Sequence, residues 1–183
     1  MLTLDQLKKI MPNAGSRAQL FLVPINDAMD EFGIDTPARQ SAFLAQLCHE
    51  SGSLRYVSEI ASGLAYNGRK DLGNTKPEAI AAAAAHGSTP GPWFKGHGLI
   101  QVTGYDNHLA CGLALSLDLV NEPRLLEQPV HAARSAAWFW STRNLNYLAD
   151  AGDFERITKR INGGLNGYDD RLAAYDRAKE ALA

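Results

Sequence analysis

At 183 residues, 45% hydrophobic and 21% charged, the chain has the composition of one globular domain with enough apolar material for a buried core. Its 18 Lys+Arg against 20 Asp+Glu leave a formal net charge of -2, which argues against a general nucleic-acid binder, because neutralising phosphates needs a basic surface, and leaves room only for a local basic patch. The longest apolar run, Ala79 to Ala85, is too short to span a bilayer.

Taken in chain order, the pattern is mainly helical. The opening Met1-Leu2-Thr3-Leu4-Asp5 lacks the basic start and apolar core of a secretion signal, so the expectation is synthesis in the cytoplasm, with any action outside requiring release by another agent. Thr3 with Gln6, and Ser16 with Gln19, have the spacing of capping boxes that open two helices. Pro24 should end or kink the second, which resumes to about Phe32 and stops at Gly33. Thr36-Pro37 opens a third helix running to about Glu50. A loop-rich stretch, roughly 51 to 104, follows, with an alanine-rich helix after Pro77 and room for a short hairpin. Helix returns over Tyr105 to Leu113, from Pro129 through Trp140, from an Asp153 cap to Ile161, and from Asp169 onward. No repeat or linker interrupts the chain, so residues 1–183 read as a single domain with two helical halves and a central cleft suited to a long ligand. Cys48 and Cys111 sit in apolar helical surroundings and read as buried free thiols.

Glu50 shares a helical face with Phe43 and Leu47, at spacings of four and three. Desolvation on that stripe and the negative end of the helix dipole both favour the protonated form that a general acid needs, although a solvated helix end is an equal reading of this feature alone. Glu59 lies nine residues later, and on one unbroken helix the two side chains would be about 13 Å apart along the axis and on opposite faces. Gly52 is a plausible point for the chain to turn back. Carboxylates roughly 6.5–9.5 Å apart leave room for a water opposite a leaving group, the arrangement of inverting sugar-bond hydrolysis.

The segment Gly96-His97-Gly98-Leu99-Ile100-Gln101-Val102-Thr103-Gly104 reads as a short strand or extended loop with Gln101 and Thr103 on one side, or as a hydrogen-bonded β-turn. Asp106 and Asn107 fit as caps of the following helix. Ile161-Asn162-Gly163-Gly164-Leu165-Asn166-Gly167 carries three glycines in seven residues, which permits close backbone approach to a ligand or a tight helix–helix turn. Arg171 could fork onto a carboxylate, for example Glu59. Tyr56, Tyr66, Trp93 and Phe94 are candidates for stacking on sugar rings, whereas Trp138 and Trp140 read as core. The five histidines show no metal-ligand spacing, and no nucleophile elbow or phosphate-binding loop is present.

Together these segments resemble the catalytic domain of glycoside hydrolase family 19, the family of plant-type chitinases and many phage endolysins. The resemblance runs from Phe43-Leu44-Ala45-Gln46 and His49-Glu50-Ser51-Gly52 through Glu59, Phe94 to Asn107 and Ile161 to Gly167, closing on Arg171 and Tyr175. It implies a lysozyme-like, mainly α, two-lobed fold with at most a small β-hairpin. It also implies inversion by single displacement without a cofactor, with Glu50 as general acid, Glu59 as general base and Thr103 positioning the water. Gln101, Asn107 and Asn162 match substrate-binding positions, Arg171 the arginine that supports the base, and His49 and Tyr66 join the binding set. His97 departs from the family's usual arginine, a change expected to be tolerated, with subsite charge and the pH profile as the properties it could alter.

Chitin and peptidoglycan share the β-1,4 N-acetylglucosamine unit. The absent signal and compact loops favour peptidoglycan as the expected substrate, with release through a holin-type pore and action as a monomer. The alternatives are a chitinase, a lytic transglycosylase needing only one acid, and a non-catalytic sugar-binding module.

Overall fold

A computed structural model describes residues 1–183. It is all-helical: α1 (Leu4–Ile10), α2 (Arg17–Glu31), α3 (Pro37–Glu50), α4 (Pro77–Ala85), α5 (Pro90–Trp93), α6 (Tyr105–Leu115), α7 (Pro129–Thr142), α8 (Leu145–Asp150), α9 (Phe154–Asn162) and α10 (Tyr168–Leu182), with short 3-10 turns between them and no sheet. No helix is long and apolar enough to cross a membrane.

The start signals act where a side chain can reach an orphan amide. Thr3 and Gln6 form the expected reciprocal box on α1, Thr36 accepts from the Arg39 amide on α3, and Asp153 accepts from the Arg156 amide on α9. Ser16 does not cap: its own backbone is already helical and its hydroxyl makes no capping bond. Pro24 does not break α2, which runs unbroken from Arg17 to Glu31. Proline removes only its own bond to the carbonyl of Leu20, an exposed residue, while Phe21, Pro24, Ile25 and Ala28 stay buried along one stripe. Nor do Asp106 and Asn107 cap α6, whose N-cap is Gly104; Asp106 instead pairs with Lys76 at 2.6 Å.

One large cluster of buried apolar side chains joins α1, α2, α3, α7, α8, α9 and α10, with Phe43 edge-on to Trp140 at its centre. Helix α10 packs mainly on α3 and α1, and α2 on α7. Arg134 forks onto Glu31 with two 2.7 Å bonds, tying α7 to α2, and Arg39 forks onto Asp150, tying α3 to α8. Two smaller clusters lie apart, one around Val102, Cys111, Leu115, Leu119 and Leu126, the other around Ala79, Phe94 and Tyr105. Both cysteines are buried and free.

The aromatic expectations divide. Phe94 is fully buried against Tyr105, so it cannot stack on a ligand. Trp93 is half-buried, stacked on His86, with its indole N–H donated to the Val120 carbonyl. Trp140 is core, while Trp138 is only partly buried.

Candidate active site

Helix α3 ends at Glu50, and the next turn reverses the chain. Gly52, Ser53 and Leu54 have φ of 57°, 61° and 66°, a left-handed run in which the two non-glycine residues each cost about 1–2 kcal/mol. Local bonds hold it: Ser51 Oγ donates to the Leu47 carbonyl at 2.6 Å and accepts from the Leu54 amide at 2.8 Å, and the Ser53 amide reaches the Cys48 carbonyl at 2.8 Å. Leu54 is fully buried in the large core, which anchors the reversal.

The Glu50 carboxylate is partly exposed and lies 2.6 Å from the guanidinium of Arg171, itself only 1% exposed. Arg171 also donates to Gln46 Oε1 and, at 3.3 Å, to the Asn166 carbonyl, so each of its three side-chain nitrogens has a protein partner. Gln46 in turn donates to Thr158 Oγ1 at 2.8 Å, and Thr158 to the Phe154 carbonyl at 3.1 Å. A buried polar chain thus runs from Glu50 through α10 and α3 to α9. Arg171 therefore supports Glu50, whereas the sequence pointed to Glu59, and its burial removes it from any substrate-contacting set.

Glu59 is fixed by different means. Its backbone amide donates to the Gly96 carbonyl at 2.8 Å, and the Gly98 amide donates to the Val57 carbonyl at 2.9 Å. His97 and Val102 exchange both backbone bonds around a Gly98–Gln101 turn, so the hairpin exists as isolated bridges too short to form a strand. The turn reading of this segment prevails over the extended one, and Gln101 takes a left-handed φ of 57° within it. On the side chain, Tyr66 donates to Oε1 at 2.8 Å and the Gly96 amide to Oε2 at 3.0 Å. Each oxygen keeps a lone pair, so this carboxylate is oriented yet still able to accept a proton from water. Tyr66 is accordingly a donor to Glu59, and that hydrogen bond raises its phenol above the usual range, keeping it protonated.

The remaining positions fall into two groups. Gln101 lies over Gly96, where a Cβ would stand 2.6 Å from its Oε1; Thr103 Oγ1 donates to the Gln101 carbonyl at 3.0 Å, and Asn107 Nδ2 to the Thr103 carbonyl at 2.7 Å. These three belong to the Glu59 side and line a cavity of about 120 Å³ together with Trp138, Phe139 and Arg143. Asn162 belongs to the Glu50 side, reaching the Asn166 carbonyl in the α9–α10 turn at 3.4 Å. So does His49, whose Nδ1 is 2.6 Å from Asp170 and whose ring packs closely on Gly167.

His97 is buried, not a subsite residue. Its Nδ1 is 3.1 Å from His108 Nε2, and His108 Nδ1 donates to the Gly104 carbonyl at 2.8 Å, which makes His97 Nδ1 the donor of the pair. Burial pushes the two rings down to about 4 and about 3, so both are neutral near neutral pH. Glu127, 3.7 Å from His97 Nε2, is too distant for a direct hydrogen bond. No group of His, Cys, Asp or Glu side chains is arranged to hold a metal ion. Sequence reasoning missed Gln46, although it stands four residues before Glu50 on the same helical face and a glutamine inside Phe43-Leu44-Ala45-Gln46-Leu47 needs a partner.

Comparison with known proteins bears on this geometry. The sequence profile of family 19 glycoside hydrolases, described as chitinase class I, matches residues 29–151. A glycosyl hydrolase family 19 domain-containing protein of Haemophilus influenzae is 32% identical over 172 residues, 82% of this chain and 84% of the relative. An endochitinase of Arabidopsis thaliana is 36% identical over 125 residues, 68% of this chain but 38% of the relative. Chitinase C from Streptomyces griseus superposes with a TM-score of 0.77 at 22% identity, over 98% of this chain and 76% of that one, a likeness of fold.

Proposed function

Since the chain belongs to glycoside hydrolase family 19, the chitinase class I family, we propose that it hydrolyses the β-1,4 bonds of chitin oligosaccharides. The family is one of inverting glycosidases. The observation that carries the proposal is a pair of carboxylates nine residues apart, each anchored independently, Glu50 by Arg171 and Glu59 by Tyr66 and the Gly96 amide. In the proposed reaction Glu50 passes its proton to the glycosidic oxygen as that bond breaks. Glu59 takes a proton from the water whose oxygen bonds to the anomeric carbon on the opposite face. Thr103, its own proton committed to the Gln101 carbonyl, presents lone pairs that accept from such a water.

The endochitinase names of the plant relatives support chitin over the peptidoglycan expected from sequence. Both polymers offer the same N-acetylglucosaminyl bond, so both belong in the test. Glu50→Gln and Glu59→Gln variants, shown to unfold at the wild-type temperature, are assayed on chitin oligosaccharides and on purified peptidoglycan. Each loses on the order of 10²–10⁴ in kcat, the range of a general acid or base, and the products have reducing ends. Full activity in Glu50→Gln ends the assignment. Anhydro-sugar products with an active Glu59→Gln variant would make the chain a transglycosylase instead.

A further inference from the structure

The cavity beside Gln101, Thr103 and Asn107 is lined by Arg143, whose surroundings differ from those of the other buried and half-buried arginines. Arg39, Arg134 and Arg171 each meet a carboxylate at 2.6–2.9 Å. Arg17 and Arg177 donate to the Leu54 and Ile10 carbonyls at 3.3 and 3.1 Å. Arg143 forms no ion pair with any carboxylate of the chain, and its only acceptors, the Phe139 carbonyl and Thr142 Oγ1, lie at 3.5 Å. The guanidinium carbon stands 3.3 Å over the Phe139 ring, which packs it against the aromatic face, and Arg160 is bonded to the Arg143 carbonyl at 2.9 Å, adding a second positive side chain nearby. Burial pulls the Arg143 guanidinium below its usual range, with nothing offsetting it, whereas Arg39 and Arg134 are raised by their partners. No Asp or Glu is among the residues that line the cavity.

A preoriented guanidinium with unspent donors matches the planar two-oxygen geometry of a carboxylate. We infer that Arg143 is a specificity-determining residue, and that its cavity takes a carboxylate borne on a β-1,4 amino-sugar chain. The inference rests on the proposed glycosidase activity and adds a preference within it. A neutral chitin oligosaccharide fills the sugar positions but leaves the guanidinium unpaired, whereas a chain bearing carboxylates on its sugars or on attached peptides satisfies it.

The test compares three oligosaccharides of equal length: all N-acetylglucosamine, alternating N-acetylglucosamine and N-acetylmuramic acid, and the latter with its carboxylates reduced to alcohols. A fourth arm attaches peptides to the lactyl groups, which moves the carboxylate from the sugar to the peptide. For each, kcat/KM and equilibrium binding are measured with wild type, Arg143→Gln and Arg143→Lys. The wild type prefers a carboxylated chain over its reduced form by roughly tenfold or more, the range of a charge-assisted hydrogen bond. Arg143→Gln erases that ratio and Arg143→Lys restores part of it; the lactyl and peptide arms show which carboxylate is read. Equal treatment of carboxylated and reduced chains by the wild type, or a ratio unchanged in Arg143→Gln, overturns the inference. Absence of hydrolysis of every chain would instead strike the glycosidase reading, while the binding ratios still decide the role of Arg143.

Discussion

Glu59 is oriented by Tyr66 and by one backbone amide, so removing the phenol hydroxyl leaves the carboxylate on a single donor. Tyr66→Phe is expected to lower kcat roughly tenfold with little change in KM, since a hydrogen bond to a charged group is worth about 1.5–3 kcal/mol and this one orients the base without touching substrate. Steady-state kinetics on chitin oligosaccharides check it; an unchanged kcat would show that the amide alone suffices. Arg171 acts on the other carboxylate. Arg171→Met strands Gln46 and Glu50 at the base of α3, and because Glu50 keeps some access to water the expected loss is about 2–4 kcal/mol, below that of a fully buried broken pair. Urea unfolding measures it. The identity of Arg171 as a carboxylate partner was legible in the sequence, but the choice between Glu50 and Glu59 was not. It depends on which helix packs on α10, and that is α3, the helix that ends in Glu50.

At the scale of elements, the starts of α1, α3 and α9 were legible because Thr3, Thr36 and Asp153 are hydroxyl or carboxylate side chains placed three residues before the amide they satisfy. Ser16 has the same chemistry and failed, because its own backbone is already helical, at φ -66° and ψ -19°, and the break in helical geometry falls one residue earlier, at Gly15 with φ 56°. Helix α8 was not read at all: it starts from Asn144 at φ 51°, with no cap or proline to announce it, and Asn146 anchors it to Trp140 at 2.8 Å. The glycine-rich link between α9 and α10 offers a direct test of why those glycines are there. Gly163 and Gly167 both have positive φ, 74° and 68°, but a Cβ at Gly163 meets nothing within 4 Å, whereas one at Gly167 would stand 2.3 Å from His49 Cε1. Gly163→Ala should therefore cost only the conformational term of about 1–2 kcal/mol. Gly167→Ala should cost clearly more and disturb His49, visible as a larger fall in unfolding temperature and reduced activity. Equal losses would mean that backbone conformation alone selects glycine at both positions.

Over the whole molecule, the hydrophobic pattern announced a helical domain, while the partition of the polar positions between the Glu50 and Glu59 sides needed tertiary structure. Gln101, Asn107 and Asn162 look alike in sequence, yet the first two hang on the hairpin and the third on the α9–α10 turn. The pair His97 and His108 sets a global property. Both rings are neutral when folded, at about 4 and about 3 against an ordinary 6.5, so on acidification the unfolded chain takes up protons first. Their contribution to stability is intact above about pH 6.5 and is lost as pH falls toward 4, at up to about 1.4 kcal/mol per pH unit for each ring. Denaturant unfolding at pH 7 and pH 5 should show this slope, and a His97→Gln/His108→Gln double variant should flatten it.

The proposal that Glu59 drives water onto the face opposite the departing sugar is tested most directly by the anomeric form of the newly released reducing end. Proton NMR recorded in the first minutes of chitin oligosaccharide cleavage, before mutarotation, should show the α-anomer in excess from β-linked substrate. An initial excess of the β-anomer would contradict the account, because it requires two successive displacements or attack from the retained face.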